Sequence, residues 1–405
     1  MGLNLTAADA VLKDLYEGPV RKQINDNCKL TAQVTKNKKD FVGRRAVIPC
    51  HMTRNTGVGS RLEGEVLPQA GNQGTTVQYV QTKGHYGRMR LSRQVISQMG
   101  SDKGSFVRAV DFETQGLKAD CARDYNRQLW GSSTGAIASC DTTSASNTIE
   151  LLTSTPEQVL VNIAEGMRVD IGTAADPQAV AANRKVTSVD FTNQRIVIDG
   201  APVTTSTSHF IFRQGSGGTG AGQREVTGVQ TIVSDSGTLF NIDPATYWQW
   251  KSIVESNSGT NRPISENLIA KAMHRTENRS GMTVDMLWAE DGVYRSFANL
   301  LQAQKRFVDT AQLQGGHKGL EVAAGGDSTV LTKDRDCPPN KLYGLSTESL
   351  VEYVNEDWQF ESLDGDTLRL ANDGTHAFEA IWFKFSEFAT TRRNAHFLIS
   401  DLEAA

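Results

Sequence analysis

Apolar and polar positions recur with two different periods along this chain, and the changes of period divide it into segments. The longest helical pattern covers residues 105–130, where Phe106, Val110, Leu117, Cys121, Tyr125 and Leu129 fall one or two turns apart. Arg108, Lys118, Asp120, Arg123, Asp124 and Arg127 occupy the remaining sides. The pattern predicts a helix about 39 Å long. Ser101 or Asp102 would cap its start, Gly131 would end it, and Gly116 is the place where it would bend. A short helix is expected nearer the start, with Thr6 as cap, Val11, Leu12 and Leu15 on one face, and Gly18 and Pro19 as the stop. Residues 20–40 keep little apolar periodicity, and Lys36, Lys38 and Lys39 suit either an extended arm lying on another surface or a solvated loop.

Other segments carry strand patterns. Glycines at 57, 59, 64, 71 and 74 punctuate residues 54–76, and residues 77–91 read as a Val-, Tyr- and Thr-rich strand with polar groups on both faces. With turn chemistry at residues 67–72, residues 54–92 are expected to form one long two-stranded hairpin. Such a ribbon has no packed face and must be held by another surface. Residues 150–235 break into short β-type runs at 159–161, 167–171, 186–191, 195–198 and 209–212, which predict a small barrel or sandwich closed by a flexible glycine-rich loop at 215–222. Residues 223–233 read as strand, and from residue 264 helices at 265–276 and 291–304 flank a buried strand at 282–287. Strands follow at 342–344, 351–354, 358–363, 377–385 and 396–399. The fold class is α+β with one β-rich insertion.

Composition narrows the function classes. The chain of 405 residues allows two to three domains at about 150 residues each. Its 42 Lys+Arg against 46 Asp+Glu leave no bulk field to grip nucleic acid or an anionic membrane. No apolar run approaches the roughly 20 residues of a membrane-spanning helix. Met1 to Thr6 lack the basic start and apolar stretch of a secretory signal. Cys28, Cys50, Cys121, Cys140 and Cys337 are widely spaced without a CxxC pair, as expected of reduced thiols.

Motifs that suggest chemistry lack their context. Gly131, Ser132, Ser133, Thr134 and Gly135 spell GxSxG, but a nucleophile elbow needs a strand before the serine and a helix after it, whereas Ser133 follows a helix. Gly215, Gly217 and Gly220 spell GxGxxG without the helix whose amides would hold a phosphate. The 7 histidines are scattered, and no residue set calls for a metal or cofactor. Charge divided by segment is more informative. Residues 1–92 hold 14 Lys+Arg against 7 Asp+Glu, a net of +7, while residues 340–405 hold 5 against 12, a net of −7. The two ends can pair within one chain or between neighbouring copies; the coreless hairpin favours the second.

In this order of elements the chain resembles the major capsid proteins of tailed bacteriophages. Residues 20–49 are similar to that family's N-terminal arm, 54–92 to its extended loop and 105–129 to its spine helix. The turn from Leu129 to Gly135 resembles the exit from the spine. Residues 265–275 with Ser280, Gly281, Met282, Thr283, Val284 and Asp285 resemble a helix and strand of its axial domain. Ser386, Glu387, Phe388 and Ala389, with residues 395–399, resemble closing strands of its peripheral domain. The resemblance implies domains at 1–53 (helix and arm), 54–92 (extended loop), 93–149 (spine), 150–235 (insertion), 236–339 (axial) and 340–405 (remaining axial and peripheral strands). It also implies a non-enzymatic protein that assembles with itself as hexamers and pentamers into an icosahedral shell around double-stranded DNA. Assembly would take place in the host cytoplasm, with a separate scaffolding protein, a portal and a decoration protein as partners, and no membrane. The expected contacts between subunits set Arg54, Arg61, Lys83, Arg88 and Arg90 against Glu352, Glu356, Asp357, Glu361, Asp364 and Asp366. The alternatives are a tail-tube or decoration protein and, outside structural proteins, a hydrolase using Ser133.

Overall fold

The long amphipathic pattern folds as one helix, Lys103–Trp130, unbroken through Gly116. Burial rises along it: Phe112 is exposed, whereas every residue from 125 to 130 is buried. The computed structural model describes residues 28–38, 43–94, 103–152, 157–303, 310–312, 318–324, 327–362, 367–371 and 374–404. The expected helix at Thr6 and the caps Ser101 and Asp102 lie outside them.

The buried end of the helix enters a core built around a seven-stranded sheet. Its strand order is Ile253–Glu255, Phe397–Ile399, Leu342–Leu345, Met286–Ala289, Asp327–Lys333, Lys318–Ala324, Thr310–Gln312. Strand Met286–Ala289 is apolar at every position because both faces are covered. Met286 and Trp288 join Tyr125, Leu129, Trp130 and Tyr343 in one cluster. Leu287 and Ala289 join Ile269, Val293 and Phe297 of helices Glu266–Ser280 and Asp291–Ala303 in the other. Trp130 meets Trp288 and Tyr343 at 5.8 and 5.7 Å between ring centroids. Ser265 caps its helix by accepting from the Leu268 amide at 3.3 Å, and Gly281 closes it in the left-handed region at φ 69°.

A five-stranded sheet packs on the helix. Leu350–Phe360 is one continuous strand where two were expected, since register shifts after Val354 and Glu356 interrupt its alternation without ending it. It pairs with Ala377–Thr390, which pairs in turn with Lys83–Ser92 and with Arg369–Leu370. Thr35–Asn37 adds in parallel at the far edge. The basic run near the start is thus, in its described part, a short helix Lys29–Gln33 and an edge strand laid on the chain's own sheet.

The expected hairpin is differently built. Its strands are Ala46–Thr53 and Gly74–Val80, so the first lies before the expected residues 54–92 and only residues 77–80 of the expected strand 77–91 belong to the ribbon. Residues 54–73 form the projecting tip without strand structure. Lys83–Ser92 has left the ribbon and folded back as an edge strand of the five-stranded sheet. The reason is alternation: His85, Gly87 and Met89 turn to the helix while Tyr86, Arg88 and Arg90 turn away.

The β-rich block runs from Ala136 to Arg213. A six-stranded sheet and the pair Thr143–Ser146 with Val203–Thr205 enclose Val169, Ile171, Val186, Ile196 and Ile211. Two expected strands are helical. The run at 159–161 belongs to the turn Glu157–Leu160, and residues 223–233 contain the short helix Val229–Ile232, whose Val229 and Ile232 are buried on one side as helical spacing dictates.

Candidate assembly surface

The projecting tip holds its shape through polar bonds of its own. Several of its polar side chains, though in contact with water, bond its own backbone. Arg61 donates to the Val66 carbonyl at 3.0 Å and the Ser60 carbonyl at 2.8 Å, the Glu65 carboxylate accepts from the Leu62 amide at 3.0 Å, and Asn55 accepts from the Gly57 amide at 2.7 Å. Its apolar side chains point out. Val58, Leu62, Val66 and Leu67 are 84%, 77%, 87% and 79% exposed. A tip wired by polar bonds with its aliphatic groups in water is arranged for a partner's surface, not for a core.

The base of the ribbon is fixed to the body. Ala46 and Val80 pack with Tyr353 and Ala389, and buried Gln78 donates to the Thr390 carbonyl at 2.9 Å. The Tyr79 amide donates to the Phe240 carbonyl at 3.1 Å. The ribbon therefore has a fixed root and an apolar end.

Where partners of the expected cations and carboxylates are described, they lie in this same chain and are never another of the expected set. Lys83 pairs at 3.1 Å with Glu387, which is 2% exposed and also accepts from the Thr227 amide at 2.6 Å. Burial raises the Glu387 carboxyl above its usual range despite Lys83. Arg88 pairs with Glu379, and Arg90 donates to Thr375. Arg61 is taken up inside the tip, and Arg54 stands exposed at the tip's start. Among the acids, Asp357 is met by Lys36 at 3.2 Å and Lys38 at 3.3 Å. Burial opposes its charge, but the Trp358 amide, Lys384 and Lys36 together hold its carboxyl below the usual range. Glu356 accepts from Gln359 at 2.8 Å, and Glu361 pairs with Arg369 at 2.5 Å. Asp364 and Asp366 lie outside the described residues. The complementary charge of the two ends is thus spent in part within the chain, by the arm on Asp357, Lys83 on Glu387 and Arg88 on Glu379.

Sequence reasoning missed the charged centre beneath this sheet. Lys384 is fully buried, forms an ion pair with Glu352 at 2.6 Å and lies 3.5 Å from Asp357. Its ammonium sits 4.6 Å from the Tyr125 ring centroid and 5.7 Å from that of Trp358. The Tyr125 hydroxyl donates to Glu352 and lies 3.0 Å from Ser386 Oγ. A lysine between Phe383 and Phe385 in an apolar strand was the available signal. A second centre ties helix to β-rich block: Arg127 holds Asp124 at 3.1 Å and Glu225 at 2.5 Å, and Arg213 reaches Asp124 at 3.2 Å. Beside it burial lowers His85 to about 4, so this imidazole is neutral.

The motifs with chemical overtones are occupied structurally. Ser133 is 6% exposed, and its Oγ accepts from the Gly228 amide at 3.0 Å and bonds Thr231 at 2.9 Å, with neither histidine nor carboxylate in place. The glycine-rich segment is bound to buried Asp170, which accepts from the Gly215 and Asn183 amides at 2.9 and 2.7 Å. All 5 cysteines are free. Among the described residues no cluster of His, Cys, Asp and Glu is arranged to hold a metal, and no helix is long and apolar enough to cross a membrane.

Neither a protein-family model nor a curated protein sequence matches this chain. Solved structures do. The chain superimposes on the capsid asymmetric unit of Cyanophage A-1(L) over 99% of both chains, with a TM-score of 0.60 at 12% identity. It superimposes on the capsid of an empty GTA particle over 99% of this chain and 100% of the other, with a TM-score of 0.53 at 7% identity. The shared feature is the fold, end to end.

Proposed function

From a phage capsid fold that spans the chain, we propose that this protein is a major capsid subunit, assembling with itself as hexamers and pentamers into the icosahedral head of a tailed phage. The observation that carries the reading is the ribbon with a fixed root and an outward-facing apolar tip. Burying one such aliphatic side chain is worth about 1.5–3 kcal/mol, and a closed lattice repeats the contact on every subunit. The near-neutral chain, at a net charge of −4, suits a wall that does not hold packaged double-stranded DNA by its phosphates. A scaffolding protein, a portal and a decoration protein are the further partners, and the host cytoplasm is the place of assembly. Nothing in this reading requires catalysis.

Electron microscopy of the expressed chain tests the proposal: closed shells are expected, whereas stacked rings or tubes would assign it to a tail. Replacing residues 57–71 by a short Gly-Ser turn keeps both ribbon strands and should leave folded subunits unable to close shells. Normal shells from that variant would refute the role of the tip.

A further inference from the structure

A cavity of about 340 Å³ lies where three parts of the chain meet. Trp130, Gly131 and Ser132 bring the exit of the long helix to it, strand Ala136–Ser139 and the turn Glu157–Leu160 bring the β-rich block, and residues 335–341 bring the loop that enters strand Leu342–Leu345. Its size is that of a small-molecule site, and such sites collect at junctions of this kind. The walls are set before anything enters. The Asp334 amide donates to the Ala289 carbonyl at 3.2 Å, the Leu402 amide to the Asn340 carbonyl at 3.0 Å, and Gln230 to the Trp130 carbonyl at 3.1 Å.

The lining is part apolar and part charged. Ile137, Val159, Phe210, Pro338 and Pro339 supply carbon surface, while Arg127, Arg335 and Lys341 supply cations. Two of these cations are committed: Arg127 holds Asp124 and Glu225, and Arg335 lies 3.3 Å from Asp336. Asp336, the acid of the lining, also accepts from Asn126 at 2.8 Å and Asn162 at 3.3 Å. Lys341 remains. Among the described residues its half-buried ammonium has no hydrogen-bond acceptor and no carboxylate at ion-pair distance. Burial pulls it below the ordinary range of a lysine, with Cys337 and Asp401 opposing. A cation drawn out of water without a counter-charge, set among carbon surface, is complementary to an anionic group on an apolar body.

We propose that this cavity binds a small amphiphilic anion, with its carboxylate on Lys341 and its carbon body against Ile137, Phe210 and Pro338. A cavity of ~150 Å³ holds benzene, so the space here takes a body of about two fused rings. The site is separate from the ribbon and the arm, and its occupancy does not depend on shell assembly. The bound anion touches the helix exit, the β-rich block and the loop at once, and so ties together three units that the backbone joins only in series.

Calorimetric titration of the full chain with naphthoate, and with uncharged naphthamide as the matched control, is the test. One naphthoate should bind per chain, at least tenfold more tightly than the amide, and should raise the thermal midpoint as a ligand of the folded state does. Lys341→Met should weaken naphthoate at least tenfold and leave the amide unchanged, while Lys341→Arg should keep most of the affinity. Val159→Trp, which fills the space, should abolish binding of both. A wild-type chain that ignores naphthoate or takes the amide equally well would overturn the proposal. So would an affinity unchanged by Lys341→Met, or binding that survives Val159→Trp.

Discussion

Lys384→Met is the substitution whose cost can be worked most directly from the structure. The ammonium is fully buried and faces two carboxylates with unequal resources. Asp357 has 29% of its side chain in water and keeps Lys36 and Lys38 when Lys384 is removed. Glu352 has a side chain only 3% exposed, and Lys384 is its cation among the described residues. Methionine fills the space but leaves one buried carboxylate uncompensated, with the Tyr125 hydroxyl as its remaining partner. Breaking a buried pair from one side costs about 3–5 kcal/mol, or roughly two to four orders of magnitude in the ratio of folded to unfolded subunit. Adding Glu352→Gln to Lys384→Met removes the stranded charge and should restore most of the loss. Urea titration of dissociated subunits, followed by fluorescence of Trp358 and Trp382, whose rings stack at 6.1 Å beside the site, measures both variants. A single variant as stable as the wild type, or a double variant no better than the single, would refute the reasoning.

Gly87→Val should destabilise the contact of sheet and helix, because a Cβ there would stand 2.4 Å from Cys121 Sγ and 2.9 Å from Leu117 Cδ1; overpacking of this kind costs about 1–3 kcal/mol, read as a lower urea midpoint. Burial holds His85 at about 4 and His396 at about 3, below the ordinary 6.5, so both are neutral in the folded chain. The unfolded chain alone takes up these protons as pH falls below about 6.5, so stability should decline from there towards pH 4 by about 1.4 kcal/mol per unit for each histidine. His396→Asn should halve that slope in urea titrations, and an unchanged slope would count against it. Ser265→Ala removes the cap of helix Glu266–Ser280 and should cost about 1 kcal/mol, seen as faster amide exchange in its first turn.

The long helix and the paired helices around Met286–Ala289 were legible because their apolar positions repeat over several turns. Residues 83–92 were placed in the wrong partnership for a physical reason. Their alternation marks a strand with one buried face, but the strand that covers their flank, Ala377–Thr390, lies nearly three hundred residues away, and local pattern carries no record of it. The four-residue turns Glu157–Leu160 and Val229–Ile232 are too short to show a helical period, so β-branched residues dominate their appearance. Charge by segment marked the first and last portions as complementary and favoured pairing between copies; the described pairs, Lys36 and Lys38 on Asp357 among them, lie within one chain. The Lys384, Glu352 and Tyr125 centre joins three segments and required the fold to bring them together.

Residues 225–228, just after the glycine-rich loop, are packed tightly against the exit of the long helix. A side chain at Gly228 would stand 2.1 Å from the Gly131 carbonyl oxygen at the end of the long helix. Next to it, the Thr227 amide is held by Glu387, and Arg127 grips Glu225. The block is thereby bolted to the helix at its exit instead of hanging from a tether. If a shell of these subunits expands or contracts, this joint will travel as a single rigid piece, and the strain of the change will fall on the ribbon and the arm.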